Sequence, residues 1–367
     1  FFTLHALAVM LEDDVAYKNV IANGLVLDKN GNKMSKRLGN AIDPFETIAT
    51  YGPDATRWYM IVNAPPWDNL KFNPEGITEV QRRFFGTLHN TYSFFALYAN
   101  LDGFAFEQAE TALAARTESD RWIISRLNSL IREVETQYND YDPTRAGRAI
   151  QDFVSDELSN WYVRLNRKRF WKGEYNADKV AAYQTLYTCL NTIAKLAAPI
   201  APFYTEQLYR DLNAVSGRET AESIHLSDFP KVDESAIDVA LEERMKLAQQ
   251  VSSLVHSLRK THKIKVRQPL SRILIPVINP RLKDQISAVE DLIKSEVNVK
   301  SIEYISDTSG VLVKKIKPNF KELGRKFGPK LKVVGAAIQQ MQQPDIQQLE
   351  RTGEFTVNVD NEPVVLT

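Results

Sequence analysis

The chain has 367 residues, 44% of them hydrophobic, and its 46 basic and 46 acidic side chains cancel to a formal net charge of zero. That length can hold two or three domains with cores of their own, and zero net charge excludes global attraction of a polyanion, so any nucleic-acid binding must come from local patches. A single cysteine, Cys189, excludes an internal disulfide and a cysteine-rich zinc site and fits a reducing, cytoplasmic setting, and no apolar run is long enough to span a bilayer.

In chain order, Phe1 to Leu7 reads as the middle of a buried helix, without initiator Met or the basic n-region of a signal peptide. The far end, Pro363 to Thr367, stops in a strand-like run, so both ends read as cut from something larger. Val20-Ile21 and Leu25-Val26-Leu27 are strand-like, and Asp28 to Gly31 is an Asn-Gly turn. Asp43 before Pro44 starts a helix, Gly52-Pro53-Asp54 breaks it, Ala55 to Val62 forms another, and Pro65-Pro66 ends that one. From Glu75 to about Leu212 the pattern is helical throughout. Ile123, Leu127, Leu130, Ile131, Val134 and Tyr138 make one apolar stripe. Asp142-Pro143 opens the next helix, Val180 to Ala194 marks a third, and Pro199 and Pro202 enclose a break before a fourth, which makes a bundle. Cys189 falls inside the third as a buried, inert thiol. Asn213 to about Glu234 is a polar connector, Ile237 to Lys260 is helical, and strands at 273–275, 302–305, 311–313 and 355–357 alternate with helices as a small α/β module.

The segment Gly24-Leu25-Val26-Leu27-Asp28-Lys29-Asn30-Gly31-Asn32-Lys33-Met34-Ser35-Lys36-Arg37-Leu38-Gly39-Asn40 carries chemistry. A short strand enters a turn, two lysines follow three apart, and Gly-Asn closes the loop. In a helical turn Lys33 and Lys36 project to one side. Two mobile ammonium groups can then hold a polyphosphate while charge moves onto a leaving pyrophosphate; one ammonium beside one phosphate oxygen is worth roughly 4 kcal/mol at an effective dielectric of about 20. A bare lysine pair would be only a solvated turn. The surrounding residues argue for more.

Lys33-Met34-Ser35-Lys36-Arg37-Leu38-Gly39-Asn40 resembles the second signature of class I aminoacyl-tRNA synthetases, usually written Lys-Met-Ser-Lys-Ser, with Arg37 in place of the last Ser. Asn19-Val20-Ile21 is similar to the large aliphatic subfamily (isoleucine, valine, leucine, methionine). Pro66 to Phe72, Phe84 to Tyr92, Leu158 to Trp171, and Pro318 to Gly324 followed by Gly328 resemble the isoleucine enzymes. The resemblance implies that Lys36 stabilises the transition state of amino-acid activation, that Lys33 supports it, that Ser35 holds the loop and that the backbone near Val26 lies by the adenine of ATP. It implies ATP with Mg2+ as substrate, isoleucine and tRNA as partners, and a monomer in the cytoplasm, while the lone Cys189 and the scattered histidines imply no zinc in this stretch. It also implies three parts: the end of a nucleotide-binding α/β catalytic domain (1–74), an antiparallel helix bundle that binds the anticodon (75–232), and a small α/β C-terminal module (233–367). His-x-Gly-His, the first signature, is absent, as is the editing insertion, which is expected upstream of Phe1; this stretch alone is expected to be inactive. The alternatives are a valine or leucine enzyme, or a non-catalytic RNA-binding protein with a vestigial loop.

For RNA, Trp161, Arg164, Lys168 and Trp171 recur three, four and three apart as one helical stripe, with Arg167 and Arg169 beside it. Cations beside aromatic faces suit phosphates and unstacked bases of a loop such as the anticodon. Trp161 itself is better read as core. Two further basic clusters, Arg259 to Arg267 and Lys314 to Lys332, read first as solvated faces.

Overall fold

Helices begin where the sequence supplies an acceptor for their first amides. In the computed structural model, which describes residues 1–277, 280–305, 316–359 and 362–366, Asp43 takes the Phe45 and Glu46 amides, and Asp142 takes that of Arg145, each just before a Pro that needs no partner. The chain forms two compact units, Phe1–Gln249 and Gln250–Thr367.

The first unit opens with α1 (Phe2–Glu12), β1 (Val26–Leu27), α2 (Pro44–Tyr51), α3 (Pro53–Asn63), β2 (Leu70–Lys71) and α4 (Pro74–Val80). β1 and β2 pair in parallel, Val26 with Leu70 and Leu27 with Lys71. Val20-Ile21 is not a strand, and α1 is helical but none of its residues is buried, against the expectation of a covered helix. An apolar helix without a polar face needs cover on every side, and the ring of Tyr17 against Phe1 and His5 gives little.

The bundle consists of α5 (Gly86–Asp102), α6 (Glu118–Asn139), α7 (Pro143–Asp152), α8 (Arg164–Trp171), α9 (Ala177–Ala197), α10 (Pro202–Ser216) and the start of α11 (Val239–Thr261). Five of the six residues of the expected stripe on α6 are buried, and the sixth, Tyr138, donates its hydroxyl to the Leu196 carbonyl at 3.0 Å. Phe153, Tyr162, Phe170, Tyr183 and Leu190 complete the core around them, each worth roughly 1.5–3 kcal/mol on full burial. Two stretches depart from α geometry. Gln81–Phe85 and Phe153–Val163 are π-helical, so α4 to α5 and α7 to α8 run on without a break but with shifted register. The polar stretch after α10 is tied back: Glu219 receives Lys195 Nζ at 2.8 Å and Asn191 Nδ2 at 2.6 Å, and Glu206 receives the Ser223 hydroxyl at 2.9 Å.

The opening segment is bolted to this bundle. Arg57 donates to the Ile200 carbonyl (2.9 Å), the Thr144 hydroxyl to that of Ile61 (2.6 Å), and Asp54 accepts the Tyr204 amide (2.6 Å) at the start of α10. Trp58, fully buried, stacks on Phe84 at 4.0 Å.

In the second unit β3 (Leu270–Pro276) pairs in parallel with β4 (Val299–Ile305) across α12 (Pro280–Ser287) and α13 (Glu290–Val297). After α14 (Phe320–Phe327), α15 (Leu331–Gln339) and α16 (Gln343–Thr352), β5 (Phe355–Val359) and β6 (Glu362–Leu366) form an antiparallel pair. The α/β character is as expected, but as two separate two-stranded sheets among the described residues. The strand expected at 311–313 lies outside them.

Candidate functional site

The loop is built from its base. Gly24 approaches the segment leading into β2 so closely that a Cβ would lie 2.0 Å from the Asp68 carbonyl oxygen; the Leu25 amide donates to Asn69 Oδ1 at 2.8 Å. β1 then delivers Asp28, whose buried carboxylate accepts the amides of Asn30 (2.9 Å) and Asn32 (2.8 Å) and the Asn40 side-chain amide (3.0 Å). Asn40 also donates to the Lys33 carbonyl (3.2 Å) and accepts the Ser35 amide (2.8 Å), so one side chain clasps both limbs. The Ser35 hydroxyl accepts from the Arg37 amide at 3.2 Å and caps a short 3-10 turn, Lys36–Leu38, which Gly39 closes at φ 68°.

One expectation is corrected here. Lys33 and Lys36 do not share a helical turn: Lys33 bridges antiparallel to Leu27, Ser35 is extended, and only Lys36 enters the turn. Asn40 holds the backbone on both sides of Met34 and so delays the turn to Lys36. Both lysines are exposed, and neither has an ion-pair partner among the described residues. Val26, on β1, is exposed as well.

Hydrogen bonds from Asn40 and from the Asn32 amide hold the Asp28 carboxyl below its ordinary range. A depressed folded pKa means that the loop's order is complete above the ordinary carboxylate pKa and is lost only as pH falls through the depressed value. Hydrogen exchange at the Asn30 and Asn32 amides is therefore expected to stay slow across mild acidity. In Asp28→Ala it is expected to be fast at every pH, with trypsin cutting after Lys33 and Lys36 several-fold faster. Unchanged exchange and cleavage in Asp28→Ala would remove Asp28 as the loop's anchor.

The second group lies on α8. Trp161 is core, 6% exposed, while Arg164, Arg167, Lys168 and Trp171 are exposed. Arg164 lies 5.8 Å from the centre of the Trp161 ring and donates to the Asn160 carbonyl at 2.7 Å. Arg169 faces the other way. It forks onto Asp120 with two 2.8 Å bonds and onto Asp178 at 3.0 and 2.7 Å, so its guanidinium is spent inside the protein. Asp120, fully buried, also receives the hydroxyls of Tyr162 (2.6 Å) and Thr117 (2.8 Å). This latch, tying the starts of α6 and α9 to α8, was not legible from spacing, since Asp120 lies 49 residues from Arg169.

Of the two other basic clusters, Arg259 is buried and donates to the carbonyls of Lys265, Gln268, Val297 and Asn298, a structural use. Lys314 and Lys315 lie outside the described residues. Among those described, no helix is long and apolar enough to cross a membrane.

Residues 1–73, which contain the loop, match the family of tRNA synthetases class I (I, L, M and V), and residues 120–274 match the anticodon-binding domain of tRNA ligase. The chain is 72% identical over 351 residues to the isoleucine–tRNA ligase of Cytophaga hutchinsonii, covering 96% of this chain and 32% of that protein. It is 60% identical to that of Bacteroides thetaiotaomicron over 100% of this chain and 32% of the relative, and 41% identical to that of Clostridium novyi over 100% and 35%. The chain thus spans about a third of the length of these relatives. With the lysine loop inside one match and most of the stretch from α6 to β3 inside the other, the chain belongs to the class I aminoacyl-tRNA synthetases, as a segment of their isoleucine–tRNA ligase family.

Proposed function

We propose that the full-length protein activates isoleucine with ATP and transfers it to tRNA, and that this segment contributes the pyrophosphate-holding loop and an RNA-binding face. The observation that carries the reading is the Asp28–Asn40 clasp, which leaves Lys33 and Lys36 exposed beside β1 and without an ion-pair partner among the described residues. In activation the isoleucine carboxylate oxygen attacks the α-phosphorus, the bond to the β-phosphate oxygen breaks, and pyrophosphate leaves with added negative charge. Lys36, with Lys33 in support, meets that charge. The loop offers no carboxylate to a metal, because Asp28 is consumed within it; Mg2+ would arrive with the ATP phosphates. A ribose hydroxyl of the tRNA then attacks the carbonyl, its proton is lost, and AMP leaves.

We assign residues 1–74 to the end of the catalytic domain, 75–232 to the anticodon-binding bundle and 233–367 to a C-terminal module. Arg164, Arg167, Lys168 and Trp171 form the RNA face, with Arg169 behind it as its support. The protein is proposed to act as a cytoplasmic monomer; burial raises the Cys189 thiol far above its ordinary pKa, which keeps it inert. ATP–pyrophosphate exchange by the full-length protein, run with each aliphatic amino acid, is expected to be fastest with isoleucine, because valine leaves one methylene's contacts unmade in an apolar pocket. Preference for valine or leucine, or no exchange at all, would overturn the assignment.

A further inference from the structure

An open cleft of about 610 Å³ in the first unit is lined by Lys29 in the turn under the loop, Lys71 on β2, Arg83 in the first π-helical stretch and Arg148 on α7, with Glu79 as the only carboxylate. Four cations against one anion give 4 − 1 = +3, in a chain whose total is zero. The cations differ in how far they are committed. Arg148 is fixed, donating to the carbonyls of Val62 (2.9 Å) and Asn63 (3.2 Å) at the end of α3. Arg83 meets Glu79 at 3.1 Å, but both are more than half exposed, a pair worth little. Lys29 and Lys71 have no ion-pair partner among the described residues. Lys71 lies across the turn, its Nζ 3.7 Å from where a Cβ on Gly31 would be.

Apart from Val62, Gly76 and Val80, the rest of the lining is polar and neutral. The Tyr59 hydroxyl accepts from the Asn73 amide (2.9 Å) and from Asn63 Nδ2 (3.3 Å) and donates to the Lys71 carbonyl (3.2 Å). Gln151 accepts from Trp58 at 3.3 Å through its oxygen, which leaves its amide nitrogen to donate. Cations spread over a turn, a strand and two helical stretches along an open trough suit a chain of phosphates passing through. They suit a single compact polyphosphate less well, since that asks for donors converging on one point. We propose that this cleft seats roughly two consecutive phosphates of the bound RNA's backbone, adding affinity without reading sequence. The proposal rests on the reading of this chain as part of a tRNA ligase.

The test is anisotropy of labelled tRNA with the full-length protein at several salt concentrations, for three variants. Lys29→Ala/Lys71→Ala is expected to weaken binding about tenfold or more near 0.1 M salt and to flatten the log–log salt slope by a little under two units, since each lost contact removes about 0.7–0.9. Lys29→Arg/Lys71→Arg, which keeps the charges, is expected to bind as the unmutated protein does and guards against a folding artefact. Arg164→Ala/Lys168→Ala separates the two claims. If it weakens binding while the cleft variant leaves affinity and slope unchanged, the cleft proposal is overturned and the RNA reading stands. If neither variant changes binding, the RNA reading fails with it. Inorganic triphosphate is the last probe: if the cleft variant loses triphosphate binding but keeps the tRNA slope, the cleft holds a polyphosphate and not RNA, which also overturns the proposal.

Discussion

Lys36→Ala in the full-length protein is expected to lower ATP–pyrophosphate exchange about 10²–10³-fold, the scale of losing one donor aimed at charge that develops in the transition state. Lys36 is the first residue of the 3-10 turn that Ser35 caps and Gly39 closes, so its backbone is set by groups the substitution does not touch. Its side chain is exposed and makes no ion pair among the described residues, so removing it leaves no orphaned partner and should cost little stability. The loss should therefore fall on kcat, with the KM for ATP moving much less, because an interaction made mainly in the transition state lowers both kcat and kcat/KM. Lys33→Ala should cost less than Lys36→Ala, since Lys33 is held on the bridge to Leu27. Exchange by Lys36→Ala within about threefold of the unmutated protein would rule Lys36 out as the residue meeting the leaving group.

Much of this site was legible because its signals are local. Asp43 and Asp142 announce helix starts by standing before Pro44 and Pro143, and both cap as expected. The α6 stripe needed only its 3.6-residue period, and burial of Trp161 followed from its size and apolarity. The strand, turn and Gly-Asn closure around the lysines were also visible, although not that Asn40 would reach back to Asp28, 12 residues away. What escaped depends on distant partners. Arg169 looks like one more surface cation among Arg164, Arg167 and Lys168 until Asp120 and Asp178 are brought to it. Arg259 likewise looks solvated until the end of α13 supplies carbonyls. The π-helical stretches escaped for a different reason. Their i→i+5 bonds shift register without any glycine or proline to mark them within 153–163, so a stripe drawn at constant α spacing put buried Trp161 with exposed Lys168 and Trp171.

The Asp120–Arg169 latch carries the second large effect. Burial alone would push the Asp120 carboxyl up, yet hydrogen bonds and charge from Arg169, with the hydroxyls of Tyr162 and Thr117, outweigh it and hold it below the ordinary range. The stabilisation is therefore present above the ordinary aspartate pKa and is lost as pH falls through the depressed value. Asp120→Asn keeps the shape but removes the charge, and it turns one acceptor oxygen into a donor facing a donor. Arg169, 15% exposed, then keeps only the half-exposed Asp178 as an ion-pair partner among the described residues. Breaking one side of a buried pair costs roughly 3–5 kcal/mol, so denaturation followed by the fluorescence of the buried Trp58, Trp122 and Trp161 should shift strongly in this variant. Adding Arg169→Met should recover part of the loss, because the uncompensated charge goes with it. The same latch aims α8, so in a variant that remains folded tRNA affinity should fall while the salt slope holds, as no phosphate contact has been removed. A flattened slope in Arg169→Met alone would instead make Arg169 an RNA contact, and an unshifted unfolding midpoint in Asp120→Asn would show that the bundle does not depend on the latch.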